Sequence, residues 1–330
     1  MILVTGATGH IGNVLVRTLI QKGQKVRALI LPGETTSSLQ GLHVEKIEGD
    51  VLDIASLKKA VQGVDRVFHL AGAISIMPGE QPDIWRVNVE GTRNMLLAAQ
   101  DANLRRFVYT SSIHAIQRLD TGIIDESLPY DPDNPYGIYD RSKAVATLEV
   151  QQAAQNKLDA VIVCPTGVIG PYDFHGSEMG HVIASTLKRG LNPYVDGAYD
   201  FVDVRDVVAG LILASEKGKT GESYILSGHA ISVRYMMETL REIVGLNFPM
   251  IKIPSQIAEF FAKFTPTFYR LTKRTPRFTP YSLEVLRSNS NISHSKASRE
   301  LGYQPRVLYQ TLMDTVVWLL ENRAFVGDLL

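Results

Sequence analysis

Eight residues constrain this chain more than any others: Thr5-Gly6-Ala7-Thr8-Gly9-His10-Ile11-Gly12, directly behind the apolar run Met1 to Val4. After them, Val14, Leu15, Leu19 and Ile20 recur at the spacing of one helix face. The order is strand, glycine turn, helix. A helix opening on such a turn aims unpaired N–H groups and the positive end of its dipole at whatever lies there, which suits a pyrophosphate. Gly6 supplies the tight turn, Gly9 the close approach to phosphate and Gly12 the contact of helix with strand. The plainer alternative is a structural turn in an α/β protein that binds nothing.

The pattern continues through the first half. Strand-like runs fall at 25–31, 44–47, 66–72, 106–112 and 160–164, with helical spacing at 11–22, about 55–62, about 83–101 and about 137–155. Alternation of this kind predicts an α/β fold, a doubly wound parallel sheet with right-handed crossovers. The strands read as continuous apolar runs, as they must when both faces of the sheet are covered. After Pro171 the pattern changes: 172–200 is rich in Gly, Pro and Tyr, 200–204 resumes a strand, 206–216 a helix and 223–226 a short strand. From about 231 the chain reads as helices at 233–244, 255–270, 279–287, 294–301 and 308–322. The later strands look too short to build a sheet of their own. The expected division is a dinucleotide-binding body of 1–171 plus about 201–228, capped by a smaller, mostly helical substrate-binding domain of about 172–200 plus 229–330.

Composition excludes several classes of function. Lys plus Arg equals Asp plus Glu, 34 each, so no basic footprint for nucleic acid is present. Cys164 is the only cysteine and lies in an apolar run, so it reads as a buried inert thiol in a chain suited to a reducing compartment. No basic leader precedes the first strand, and no apolar run approaches the roughly 18 residues of a membrane span, so a cytoplasmic protein is expected. No His/Cys/Asp/Glu cluster has metal-ligand spacing, so no metal is expected.

The second chemical signal is Tyr139-Asp140-Arg141-Ser142-Lys143. Residues four apart share a helix face, so Tyr139 and Lys143 project together. A phenol is a poor proton carrier near neutrality, and an adjacent ammonium is expected to lower its pKa. Tyr139 then exchanges a proton with a substrate oxygen. Tyr136 competes for the role, but Asp140 stands four residues beyond it and disfavours its phenolate. Ser111 and Ser112 close the fifth strand, where a hydroxyl can hold the same oxygen.

Glycine turn, strand-end serine and Tyr-x-x-x-Lys together resemble the short-chain dehydrogenase/reductase superfamily. The length and helical C-terminal part are similar to its extended branch, the NAD-dependent epimerase/dehydratase family, and among these to dihydroflavonol 4-reductase-like carbonyl reductases. Asp50-Val51, His69-Leu70-Ala71-Gly72, Asn88-Val89-Glu90-Gly91-Thr92, Pro165 to Pro171 and Asp200 to Asp206 match its further motifs in order. The resemblance implies hydride exchange between a nicotinamide cofactor and a carbonyl or alcohol carbon. Tyr139 is then the acid/base, Lys143 its tuning cation and Ser112, rather than Ser111, the group orienting the substrate oxygen. Implied cofactor contacts are Gly6, Thr8, Gly9, His10, Ile11 and Gly12 in the turn, and Leu31 at the end of the second strand. Asp50 and Val51 belong at the adenine, with Leu70, Ala71, Gly72 and Asn88 beside them. Thr110, Ser111, Tyr139, Lys143, Pro165, Thr166 and Val168 complete the set.

Neither an acidic residue nor an arginine stands at Leu31 to select NAD or NADP. Glu34 would repel a 2′-phosphate if it turned inward, and the reductase resemblance alone leans to NADP. Nucleotide-sugar relatives carry an arginine where this chain has Tyr199, an asparagine where it has Gly167, and, in the dehydratases, an Asp-Glu pair absent from Ile113-His114-Ala115. The expected substrate is therefore a small, largely apolar carbonyl or alcohol compound. A nucleotide-sugar epimerase with tightly bound NAD is the alternative, and a dinucleotide-sensing regulator a third reading that the intact Tyr139, Lys143 and Ser112 disfavour. Three lesser features remain. His114 faces either substrate or solvent. Residues 145–154 are apolar and rich in small side chains, and for this helix the resemblance implies a homodimer. Residues 252–277 mix Phe260, Phe261, Phe264 and Phe268 with six basic residues, and a helix half in the core is favoured there over membrane contact.

Overall fold

The computed structural model describes the chain except residues 80, 103, 188–191, 246–248, 273–278 and 323–330, together with the side chains of 270 and 271. The first half runs β1 (Ile2–Thr5), α1 (His10–Gln21), β2 (Val26–Ile30), β3 (Glu45–Glu48), α2 (Ile54–Ala60), β4 (Arg66–His69), α3 (Pro82–Trp85), α4 (Gly91–Asp101), β5 (Arg106–Thr110), α5 (Ile138–Gln155) and β6 (Ala160–Pro165). The second runs β7 (Gly167–Ile169), α6 (Glu178–Thr186), β8 (Asn192–Tyr194), β9 (Ala198–Asp203), α7 (Val204–Lys217), β10 (Ser223–Leu226), β11 (His229–Ser232), α8 (Val233–Val244), β12 (Met250–Lys252), α9 (Ser255–Ala262), α10 (Thr265–Thr272), α11 (Pro280–Arg287), α12 (Ser295–Leu301) and α13 (Leu308–Glu321).

Seven parallel strands form the central sheet in the order β10-β6-β5-β4-β1-β2-β3. The order reverses about β1, which sits between β2 and β4, so a crevice opens at its carboxyl end where the glycine turn lies. β1 and β6 are buried along their whole length, as their uninterrupted apolar sequences require. One face of the sheet is covered by α1 and α7, with Val14, Leu15, Val207 and Leu211 in a common core. The other is covered by α2, α4 and α5, through Leu57, Met95, Ala99, Ala146 and Val150. This is the Rossmann-type architecture the alternation predicted.

The second half departs from expectation in one respect. Its strands do form sheets: β11-β9-β7 make one of three strands, and β12-β8 pair in parallel. Each strand has three to six residues, and the partners are far apart in sequence, Gly167 opposite Phe201 and His229 opposite the same residue. Period-two alternation carries no signal over three residues, so the sequence hid them. The strand at 198–203 accordingly joins the small sheet. α7 then returns the chain to the central sheet and β10 adds to its β6 edge. Over the small sheet, α6, α8 and α13 close a separate core around Ile183, Met236, Leu240, Leu312 and Trp318.

Candidate active site

The crevice at the carboxyl ends of β1, β4, β5 and β6 widens into a cleft of about 900 Å³ that reaches under the cap. Gly6, at φ +64°, takes the left-handed conformation that favours glycine, and a Cβ there would stand 2.8 Å from the Ala71 nitrogen. A Cβ on Gly12 would collide with the Gly6 carbonyl oxygen, so α1 lies against the turn as closely as a backbone allows. The N-cap of α1 is Gly9, which has no side chain to satisfy the first turn, and no acidic residue stands in that turn. Gly9, His10, Ile11 and Gly12 face the cleft. A cradle of bare N–H groups at a helix start, without a side chain in the way, fits a dinucleotide pyrophosphate.

At the mouth of β5 the chemistry gathers. Lys143 Nζ donates to the Thr110 carbonyl at 2.7 Å and reaches the Tyr109 hydroxyl at 3.4 Å. The Ser112 hydroxyl lies on the same cleft as Tyr139, and its oxygen accepts from His114 N at 3.2 Å. Ser111 turns the other way, to Thr147 Oγ1 at 2.6 Å. Tyr139, Ser112 and Lys143 all line the cleft with the glycine turn. Tyr136 does not; its ring lies under the Arg118 guanidinium, 3.9 Å from the centroid.

The expected lowering of the Tyr139 pKa by Lys143 is not what the structure shows. Burial drives the phenol up, to about 12, although the Ser112 hydroxyl pulls against this. Lys143 is itself buried and pushed down to about 8, and its ammonium is held by the Thr110 carbonyl. Sequence spacing puts the two on one face but says nothing of the water both lose. Nearby His69 bonds Thr5 Oγ1 at 2.7 Å and Thr92 Oγ1 at 3.2 Å, and burial, then the charge of Lys143, push it down to about 3. Burial likewise lifts the Cys164 thiol to about 12, in keeping with an inert residue.

Leu70, Gly72, Thr110, Ser111, Pro165, Thr166 and Val168 line the cleft beside these groups. Thr8, Leu31, Asp50, Val51, Ala71 and Asn88 are not among its lining residues. Asp50 closes its own turn, accepting from Leu52 N at 2.9 Å, and Val51 packs on Gly91. Ala71 N is held by Thr5 Oγ1 at 3.1 Å. Asn88 is buried and works as a clamp: its amide brackets Ala73, at 2.8 and 2.9 Å, and donates to Ser142 Oγ at 2.9 Å. It sits on a π-helical turn, 86–90, between α3 and α4, an irregularity common at functional sites and invisible to helical periodicity. Leu31 is exposed, but its N–H binds Glu34, whose other carboxylate oxygen accepts from Thr8 Oγ1. Glu34 has therefore turned inward, toward the glycine turn.

Sequence reasoning left His114 undecided and missed its surroundings. Its ring stacks on Tyr199, whose hydroxyl meets His114 Nε2 at 2.8 Å. Asp140, fully buried, accepts from Arg118 Nη2 at 2.7 Å and from the Tyr281 hydroxyl at 2.6 Å. His114, Tyr199 and Tyr281 all line the cleft. Burial lowers the imidazole pKa, Asp140 opposes that and Arg118 adds to it. The one advance signal was the acid inside Tyr-Asp-Arg-Ser-Lys.

Residues 2–227 match the model of the NAD dependent epimerase/dehydratase family. The chain belongs to that family. It is 37% identical over 322 residues to "Sterol demethylase protein B" of Methylococcus capsulatus, covering 97% of this chain and 98% of that one. It is 35% identical over 328 residues to a Synechocystis protein named "Putative dihydroflavonol 4-reductase", covering 98% and 95%. The crystal structure of gox2253 superimposes with a TM-score of 0.83 at 33% identity over 97% of this chain and 98% of that one. Members of this family are NAD-dependent oxidoreductases, epimerases and dehydratases. Among the described residues, no helix is long and apolar enough to cross a membrane, and no group of three or more His, Cys, Asp or Glu is placed to hold a metal ion.

Proposed function

We propose that the protein is an oxidoreductase that exchanges a hydride between NAD and the carbinol or carbonyl carbon of a largely apolar secondary alcohol or ketone, in the manner of a dihydroflavonol 4-reductase-like enzyme. One observation carries this reading. Among the described residues lining the cleft, Lys143 is the only lysine or arginine. It is spent on the Thr110 carbonyl. A nucleotide sugar brings a second diphosphate, for which the guanidinium fork is the natural partner. Instead the outer walls are Met179, Val182, Met236, Met237, Val285 and Leu286. Such walls bury hydrocarbon and leave orientation to a few polar groups. The relative named for a sterol demethylase supports an alicyclic, lipid-like compound.

The bound nicotinamide supplies or accepts the hydride. The Gly6 to Gly12 turn and the first N–H groups of α1 hold the pyrophosphate, and Thr110, Pro165, Thr166 and Val168 border the nicotinamide end. Asn88 fixes the segment at Ala73 against α5, so the cleft floor cannot drift from Lys143. In reduction, Tyr139 donates its proton to the carbonyl oxygen, Ser112 holds that oxygen and the Lys143 ammonium steadies the phenolate left behind. Residues 1–171 with about 201–228 serve the cofactor, and about 172–200 with 229–330 serve the substrate; β9 crosses that division. The inward Glu34 carboxylate, between Thr8 and Leu31, favours the ribose 2′-hydroxyl of NAD and repels the phosphate of NADP, against the lean that the reductase resemblance gave.

The test is stoichiometry. Protein supplied with NAD and a panel of alicyclic secondary alcohols forms NADH in proportion to alcohol consumed. Interconversion of a nucleotide sugar with no net NADH, and no turnover of any alcohol or ketone in the panel, would overturn the reading.

A further inference from the structure

α9 is amphipathic the wrong way round. Its buried residues are Ala258 and Ala262, packed with Val195, Leu283 and Ile253. Its large side chains point outward: Ile257, Phe260 and Phe261 are 48%, 59% and 61% exposed. Phe264, in the turn that follows, is 60% exposed, and Phe268 on α10 is 48% exposed. Phe260 meets Phe261 and Phe264 edge-on, with centroids 5.6 and 5.4 Å apart, so the rings form one continuous surface. A helix that buries alanines and shows phenylalanines to water forgoes the burial that stabilises ordinary surface helices. Contiguous exposed apolar surface of this kind marks an interaction site.

Charge decides between occupants. The whole chain is balanced at 34 and 34, yet of the seven charged residues from 252 to 277 six are basic and only Glu259 is acidic. Lys263 is exposed beside the phenylalanines, and Arg270 lies on α10. Lys273, Arg274 and Arg277 follow in sequence and lie outside the described residues. Aromatic side chains flanked by excess positive charge suit the headgroup boundary of an anionic bilayer. The same excess opposes pairing with a second copy of the same segment.

Position gives the surface a purpose. Val195 and Ile253 line the catalytic cleft and also pack on Ala258 and Ala262. α9 rests on α11, whose Tyr281, Val285 and Leu286 face the cleft. One layer of apolar side chains separates the phenylalanine surface from the proposed substrate site.

We propose that the Phe260–Phe261–Phe264–Phe268 face docks the protein on an anionic membrane surface, setting the cleft beside the bilayer from which a lipid-like substrate enters. The purpose rests on the apolar-substrate reading above; the docking does not. The sequence favoured a helix with one face in the core, which Ala258 and Ala262 supply; the exposure of all four rings is the finding that adds a docking face to it.

The experiment is co-sedimentation of the full chain with vesicles of phosphatidylcholine alone or mixed with an equal part of phosphatidylglycerol. The protein is expected to pellet with the mixed vesicles and to be released by high salt. A Phe260→Ser, Phe261→Ser, Phe264→Ser triple variant is expected to bind at least about tenfold more weakly, because the apolar contribution is gone. Its melting temperature and its turnover of a water-soluble alcohol remain those of the parent, since the rings are exposed. Equal binding by parent and variant, or none by the parent, overturns the proposal. So does a parent dimer that becomes monomeric in the variant without vesicle binding. Vesicle binding is read with no substrate present, so it stands or falls apart from the enzymatic reading.

Discussion

Tyr139 and Lys143 show why a motif and its environment must be weighed separately. Spacing puts them on one face, but burial drives their proton affinities apart, the phenol up to about 12 and the amine down to about 8. A phenol so raised keeps its proton at neutrality, which is the state required to protonate a carbonyl oxygen. Tyr139→Phe is therefore expected to cut the reductive kcat by at least about a hundredfold while the Kd for NADH changes little, checked by single-turnover rates and fluorescence titration. The wild-type reductive rate is expected to hold between about pH 6 and 7 and to fall as pH rises through about 8, where Lys143 loses its proton and the phenolate its counter-charge. A profile flat to pH 9 would separate Lys143 from the proton transfer. Glu34 acts on the other end of the cofactor. Glu34→Arg replaces a repelling charge with a phosphate fork, and the ratio of kcat/KM for NADPH over NADH is expected to rise by at least about tenfold.

The glycine turn is the element on which these residues depend. α1 approaches β1 so closely that a single methyl at position 12 meets the Gly6 carbonyl. Gly12→Ala must push the helix outward, costing about 1–3 kcal/mol as overpacking and moving the N–H cradle off the phosphates. Loss of NAD binding by calorimetry, with a lowered melting temperature, is the expected outcome. This turn was fully legible in the sequence, because glycine is the only residue that satisfies it. The five inner strands and the Tyr-x-x-x-Lys helix were legible for a related reason: apolar runs that alternate with helical spacing report burial between two helix layers. Asn88 was named for the right neighbourhood but acts as a clamp on Ala73 and Ser142, since a π-turn redirects a side chain without altering the sequence pattern. The strands β7, β8, β11 and β12 stayed hidden because three or four residues paired across long stretches of chain leave no local trace. His114, Tyr199 and Tyr281 converge from three separate segments, which no spacing rule relates.

At the scale of the molecule, the cap and the sheet must hold one register, for Tyr139 comes from one and the apolar wall from the other. A charged seam joins them. Asp203 ends β9, caps α7 by accepting from Arg205 N at 2.7 Å, and receives the Arg205 guanidinium at 2.9 and 2.7 Å. Arg205 reaches on to Asp314 of α13 at 2.7 Å. Arg306, just ahead of α13, binds Asp206 of α7 through backbone and side chain at 2.7 and 2.9 Å. Burial alone would raise the Asp203 carboxyl, yet the bonds from Arg205 outweigh it and keep it below the ordinary carboxylate value. An aspartate held in this way contributes stability above its unfolded pKa and loses it as pH falls through the lower, folded one. Asp203→Asn keeps the shape and one acceptor but removes one of the two carboxylates that hold the Arg205 guanidinium, leaving Asp314 alone, and a lowered melting temperature is the expected outcome. None of Asp203, Arg205, Asp206 and Arg306 lines the cleft, so saturating NAD should still raise the melting temperature of the variant. Turnover should fall further than NAD affinity, and limited proteolysis should cut ahead of α13 sooner than in the parent. If the variant melts with the parent and resists protease equally, the seam is not what seats the cap, and the apolar core around Leu312 and Trp318 must hold it alone.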